Sequence, residues 1–175
     1  MGLRQGEALG LRWRDVDLDM GYIRITRQLQ RIDHKYELAE LKTKRSQRSL
    51  AVPAAIVGSL RLHKERQDRE RIAADRRWHD TELVFARPDG YPLSGGVVTH
   101  TFQKLLEKAG LPKMRFHDLR HSCATLLLAQ GVSPRVVMDV LGHSQISLTM
   151  NTYAYVLPEM RQHAADRMND LLRDD

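Results

Sequence analysis

The sequence has little cysteine: Cys123 is the only one. A disulfide scaffold is therefore excluded, and so is a zinc site built on thiolates. Cys123 sits in an apolar helical pattern and reads as a small buried hydrophobe. Long apolar runs are missing as well, since none approaches the ~18 residues of a membrane span. No signal peptide opens the chain, and there is no internal repeat or low-complexity segment. These absences predict a soluble cytoplasmic protein with no membrane partner.

What is present is globular in character. Of 175 residues, 42% are apolar and 29% charged, enough for one domain with a substantial core. Net charge is +6 and the isoelectric point is near 9.7, which favours a polyanionic partner without choosing between DNA, RNA and an anionic surface. The excess is uneven. Residues 24–48 hold eight Lys/Arg against three Asp/Glu, whereas residues 158–175 hold three Arg against five acids.

Patterning predicts a mainly α (α+β) fold: a helical domain with a small antiparallel three-stranded sheet near its N-terminal third. Leu3, Ala8 and Leu11 mark a first helical face. Its first turn has nothing ahead to pack against, so residues upstream are expected in a longer protein. Arg4 and Glu7, three apart, can pair on that helix, and an exposed ion pair of little worth stays open as a reading. Over 13–52 the signals are strand-like: Trp13–Leu18, a turn at Asp19-Met20-Gly21, alternation over Tyr22–Gln30, a turn at Ile32-Asp33-His34-Lys35, then Tyr36–Leu41 and Ser49–Val52. Between the last two lies Lys42-Thr43-Lys44-Arg45-Ser46-Gln47-Arg48, with four cations and no acid. As a loop it suits a phosphate backbone, with Lys44, Arg45 and Arg48 facing it; a solvated charge run is the alternative.

Helices follow. Pro53 opens one, strongly charged over 65–77, with Trp78 as an anchor beyond it. Ser94 caps another over Val97–Ala109, closed by Gly110. A third runs from His117 to about Gln130, and Ser133-Pro134 starts a fourth over Arg135–Leu141, ended by Gly142. Ser144 or Ser147 starts the next, carrying Tyr153. Pro158 opens the last, with Met160, Ala164, Met168 and Leu171 as a stripe.

The chemistry-bearing residues cluster late. Phe116-His117-Asp118-Leu119-Arg120-His121, Leu141-Gly142-His143-Ser144 and Thr152-Tyr153 fall within forty residues. His117 and Arg120, three apart, are expected to share a helix face, opposite an apolar face of Leu119, Cys123, Leu126 and Leu127. An arginine and two imidazoles around a tyrosine hydroxyl suit a negatively charged, oxygen-rich group, most simply a phosphate. Residues 131–143 also have the shape of a helix-turn-helix, so a non-catalytic DNA-binding regulator stands as an alternative. Against it, Arg135–Leu141 offers a groove one cation and one acid, a poor base reader. Phosphoryl transfer needs a nucleophile, cations for the non-bridging oxygens and an acid for the leaving oxygen. Tyr153, Arg4 with Arg120, and Lys42 with the histidines supply those types. Ser122 has no base beside it for serine chemistry.

The boxes Gly2-Leu3-Arg4-x-x-Glu7, Lys42-Thr43, His117-x-x-Arg120-His121, Leu141-Gly142-His143-Ser144 and Thr152-Tyr153 run in one order over nearly the whole chain. Together they resemble the catalytic domain of the tyrosine recombinases, the phage integrase family, in the style of temperate-phage and conjugative-transposon integrases. The resemblance implies DNA recombination or integration. Tyr153 would attack a phosphodiester, leaving a 3′-phosphotyrosyl link and a free 5′-hydroxyl that a partner strand's end later replaces. Arg4 and Arg120 would clamp the non-bridging oxygens, assisted by His143; Lys42 would protonate the leaving 5′-oxygen; His117 would handle protons. Glu7 would buttress Arg4. No cofactor and no metal are implied. Thr-Tyr context favours Tyr153 over Tyr155, and the Lys-Thr pair favours Lys42 over Lys44. The partner implied is double-stranded DNA, with a homo-tetramer on paired sites for a full-length protein and a monomer for this piece. The chain would be a catalytic domain over 1–175, truncated before it and lacking a core-binding domain. The last helix would dock on a neighbouring protomer or on its own domain. Type IB topoisomerase-like relaxation is the alternative within the same chemistry. Arg4 and Lys42 lie more than seventy residues before His117, so the fold is expected to unite two halves of a site.

Overall fold

The computed structural model describes residues 1–41, 46–142 and 157–173. The chain divides into two compact units, Leu3–Asp118 and Met1–Gly2 with Leu119–Asp175.

In the first unit, α1 (Gln5–Leu9) is capped by its own third residue: Glu7 Oε2 accepts the Arg4 backbone N–H at 3.0 Å. A one-turn 3-10 helix (Trp13–Asp15) leads into β1 (Val16–Asp17). β2 (Tyr22–Ile25) pairs antiparallel with β1 and with β5 (Arg48–Ala51), placing Ile23 opposite Val16 and Leu50. β3 (Arg27–Ile32) and β4 (Lys35–Glu40) form a separate two-stranded sheet. Their turn has Asp33 at φ 46° and His34 at φ 65°; two consecutive left-handed residues are what a tight hairpin turn demands. α2 (Ala54–Ala74) and α3 (Gly95–Lys108) complete the unit, and Ser94 Oγ caps α3 by accepting the Gly96 N–H at 3.2 Å.

Ile23, Ile25, Leu50, Leu9, Leu11, Leu83 and Val84 are buried here. α1 packs on β3, and Gly10 permits it: a Cβ there would lie 2.7 Å from the Leu29 nitrogen. On α2, buried Gln67 takes the Trp13 indole N–H on Oε1 at 2.5 Å. It donates to the Leu83 and Val84 carbonyls at 3.2 and 3.3 Å.

The second unit contains α4 (Asp118–Ala129), α5 (Pro134–Leu141) and the last helix, α6 (Leu157–Arg173). Ala124, Leu128, Val137 and Leu141 form its core, with Leu127 and Val132 packed against them. Ser133 and Pro134 start α5 as the sequence predicts, and Gly142 ends it at φ 66°.

Three expectations are corrected. Trp13–Leu18 is not one strand; it is a 3-10 turn and a two-residue strand. Tyr22–Gln30 is not one strand either, because the chain changes partner at Thr26, from β5 to β4. Buried Ile23, Ile25 and Leu29 keep one parity across that change, with residues 26–28 all half-buried between them, and period-2 patterning records facing, not partner. The apolar face of α4 is also displaced: Leu119 and Leu126 are exposed, and Arg120, Ala124 and Leu128 form the buried stripe. Cys123, on the flank, is half-buried. The helix predicted around Tyr153 lies outside the described residues. Among the described residues no helix is long and apolar enough to cross a membrane.

Candidate functional site

In the first unit the site residues gather around Glu7. Its carboxylate is 1% exposed and accepts four hydrogen bonds. Two come from Arg4, the backbone N–H at 3.0 Å and Nη1 at 2.8 Å. Two come from Arg48, Nη2 to Oε2 at 2.8 Å and Nη1 to Oε1 at 3.2 Å. The exposed ion pair of little worth is thus not what forms. Burial alone would raise the Glu7 carboxyl, but the hydrogen bonds and charge of Arg48, with the bonds of Arg4, outweigh it and hold the group below its ordinary value. Arg4 keeps 41% of its side chain exposed while tethered. A guanidinium held on a buried carboxylate in a side chain that stays partly exposed can meet an anionic oxygen without first being ordered.

Arg48, expected beside Lys44 and Arg45 at a phosphate backbone, has its side chain 7% exposed on Glu7. The strand signal could have located it. In β5, Arg48 stands two residues before buried Leu50 and therefore on its face. Lys42, Lys44 and Arg45 lie outside the described residues.

His117 is exposed and occupies the turn before α4, which starts at Asp118. The shared helical face with Arg120 is therefore corrected. The segment leading to it is held to α3 in two places: Gln103 Nε2 donates to the Met114 carbonyl at 2.7 Å, and Phe102 meets Phe116 edge-on at 5.5 Å.

In the second unit Arg120 is 4% exposed, on the core-facing stripe of α4 and not on an outward one. Nη1 donates to the Gly2 carbonyl at 2.5 Å and Nη2 to the Leu141 carbonyl at 2.6 Å. Both acceptors are formally neutral, so these bonds orient the guanidinium without cancelling its charge. The Leu141 carbonyl is one of the terminal acceptors of α5, left without a helical partner. Gly2, at φ +63°, leaves no room for a side chain: a Cβ would lie 2.5 Å from Leu141 Cδ2 and 3.4 Å from Cys123 Sγ. The sequence singled out Gly2 only as part of a box, and its task as an Arg120 acceptor was not legible there. His143, Tyr153 and Tyr155 lie outside the described residues. On α5, the helix-turn-helix candidate, Val137, Met138 and Leu141 are buried and Arg135 pairs with Asp139 at 3.7 Å. Among the described residues, no group of three His, Cys, Asp or Glu side chains is placed to hold a metal.

The family model for the phage integrase family matches residues 1–160. A tyrosine recombinase XerC-like protein of Caldanaerobacter subterraneus is 36% identical over 97% of this chain and 46% of its own length. The ICEBs1 integrase of Bacillus subtilis is 29% identical over 98% of this chain and 46% of its own. The chain spans about half the length of the curated relatives it matches. The Tn1549 transposon integrase, solved with transposon right end DNA, shares the fold at a TM-score of 0.80, with 24% identity, over 96% of this chain and 55% of that one. XerA recombinase does so at 0.70, with 24% identity, over 93% of this chain and 53% of that one.

Proposed function

Because the chain belongs to the phage integrase family, we propose that it is the strand-cleaving and rejoining domain of a site-specific DNA recombinase. The observation that supports this most is the way two arginines are held. Arg4 is tethered by a buried carboxylate and Arg120 by neutral carbonyls. Each arrangement fixes a planar fork suited to paired phosphate oxygens.

In the mechanism, Tyr153 Oη attacks the scissile phosphorus and gives up its proton, with His117 as the proton-handling group. Arg4, Arg120 and His143 meet the charge that builds on the non-bridging oxygens. The bond from phosphorus to the 5′-oxygen breaks, and Lys42 protonates that oxygen as it leaves. A 3′-phosphotyrosyl link and a free 5′-hydroxyl result. Attack by a second strand's 5′-hydroxyl reverses the chemistry, restores the tyrosine and reseals DNA, so no nucleotide cofactor is consumed. Lys44 and Arg45 contact the DNA backbone. The complete protein works as a homo-tetramer on paired sites; exposed Met168, Leu171 and Leu172 on α6 suit docking on a neighbouring protomer.

The test is a pool of end-labelled, nicked duplexes with randomised sequence around the nick, scored for covalent adducts on a denaturing gel. Wild type and Tyr155→Phe should form adducts and Tyr153→Phe none. Binding without any adduct would instead indicate a regulator. Adducts accompanied by relaxation of supercoiled plasmid, with no strand exchange between duplexes, would indicate a topoisomerase.

A further inference from the structure

Arg48 lies in a cationic run that suits a DNA backbone, yet it closes on a buried carboxylate. Besides its two bonds to Glu7, its Nη1 donates to the Ser46 carbonyl at 3.2 Å. Glu7 therefore lies between two guanidiniums of unequal exposure, the Arg4 side chain 41% exposed and that of Arg48 7%.

A carboxylate that orients an arginine also cancels its charge. Arg4 and Glu7 alone would make a neutral unit, well aimed but weak toward a phosphate. A second guanidinium changes the balance to two cations against one anion, and the exposed edge of that trio belongs to Arg4. Arg48 also counters the desolvation that would otherwise favour a neutral Glu7, and a neutral acid accepts fewer bonds from arginines. We infer that Arg48 is a positioning residue for anion binding at Arg4: through Glu7 it keeps the Arg4 fork in place and leaves Arg4 its charge for a non-bridging phosphate oxygen. This role rests on the recombinase reading for the identity of the anion, and it places Arg48 inside the fold instead of on the DNA backbone.

Two measurements on the whole chain test it. The first needs no catalysis. Inorganic sulfate, a tetrahedral anion that does not titrate near neutrality, is added to ¹⁵N-labelled protein while the Arg4 Nε–H signal is followed. Arg48→Gln should weaken sulfate at Arg4 by about tenfold, the effect of roughly one pKa unit of interaction. With Glu7→Gln already in place, adding Arg48→Gln should cost less than about threefold, because a residue that acts through another shows non-additive loss. Arg48→His is a second variant should Arg48→Gln not fold. Its sulfate affinity should fall as pH rises through the imidazole range near ~6.5, while the wild-type affinity falls less. Unchanged affinity in Arg48→Gln, or a pH profile of Arg48→His identical to that of wild type, overturns the role.

The second measurement is cleavage of a nicked duplex recovered from the randomised pool, carrying either a phosphodiester or an uncharged methylphosphonate at the scissile position. Arg48→Gln should slow the phosphodiester roughly ten- to a hundredfold, less than the ~10²–10³ expected for a donor touching the oxyanion, and slow the methylphosphonate much less. A structural role alone would slow both alike, and that result overturns the proposal. If wild type forms no adduct while the sulfate results hold, the recombinase reading falls and the task of Arg48 at Arg4 stands.

Discussion

Glu7 has the most consequential surroundings of any single residue in the first unit. Its folded carboxyl titrates below the ordinary value of 4.5. The stability it confers is therefore complete above that value and is lost as pH falls through the folded pKa. Denaturant unfolding at about pH 7 and about pH 3.5 should show this loss in wild type and a smaller one in Glu7→Gln. At neutral pH Glu7→Gln should itself cost about 3–5 kcal/mol, since Arg48 stays buried after losing its carboxylate. Gly2→Ala should destabilise by at least ~1–2 kcal/mol, the cost of a left-handed backbone for a residue with a Cβ, and more where Leu141 must move. Denaturation midpoints measure both. At this scale the sequence was only half legible. Residue types pointed to Arg4 and Arg120 as phosphate-directed, and the family resemblance to Glu7 as a buttress for Arg4. Burial did not follow, because helical periodicity assumes that arginine stays out of the core. Arg120 breaks that assumption by finding two carbonyl acceptors, at 2.5 and 2.6 Å.

Elements with local punctuation were the most legible. Ser133-Pro134 and Gly142 bracket α5 where capping chemistry puts them, and Ser133→Ala should cost about 1 kcal/mol in thermal or denaturant unfolding. The β3–β4 turn was also readable, but its backbone is unusual: Asp33 and His34 both adopt positive φ without glycine. His34→Gly should stabilise by roughly 0.5–1 kcal/mol, as relief of a ~1–2 kcal/mol left-handed penalty exceeds the entropy cost of glycine. A lowered melting temperature would count against that conformation. The split of Tyr22–Gln30 between two sheets was not legible, because hydrogen-bond partners leave no mark on an alternating pattern. β1 was hidden for another reason: two residues are too few to show a period.

For the whole molecule, net charge favours a polyanionic partner, and the proposed function makes that partner DNA. A duplex of mixed sequence should bind with strong salt dependence, weakening by roughly 10³ or more between about 50 and 200 mM salt if six or more phosphates are contacted. Fluorescence anisotropy across that range measures the slope, and a flat response would mean that the cationic excess does not meet the backbone. The family was readable from five short boxes because chemistry fixes residue types and order more tightly than packing does. Arg48 in its run of cations shows the limit: composition announces a charged surface without saying which member has turned inward.

The two bonds from Arg120 end on main-chain oxygens, at Gly2 and Leu141. Every amino acid supplies such an oxygen, so no exchange of side-chain chemistry at either acceptor removes the anchor. The weak points lie in conformation instead, at Gly2 with φ +63° and Gly142 with φ +66°. An unbiased screen for loss of these two bonds should therefore recover substitutions of those two glycines. At these two acceptors sequence drift is free in chemistry and constrained in backbone shape.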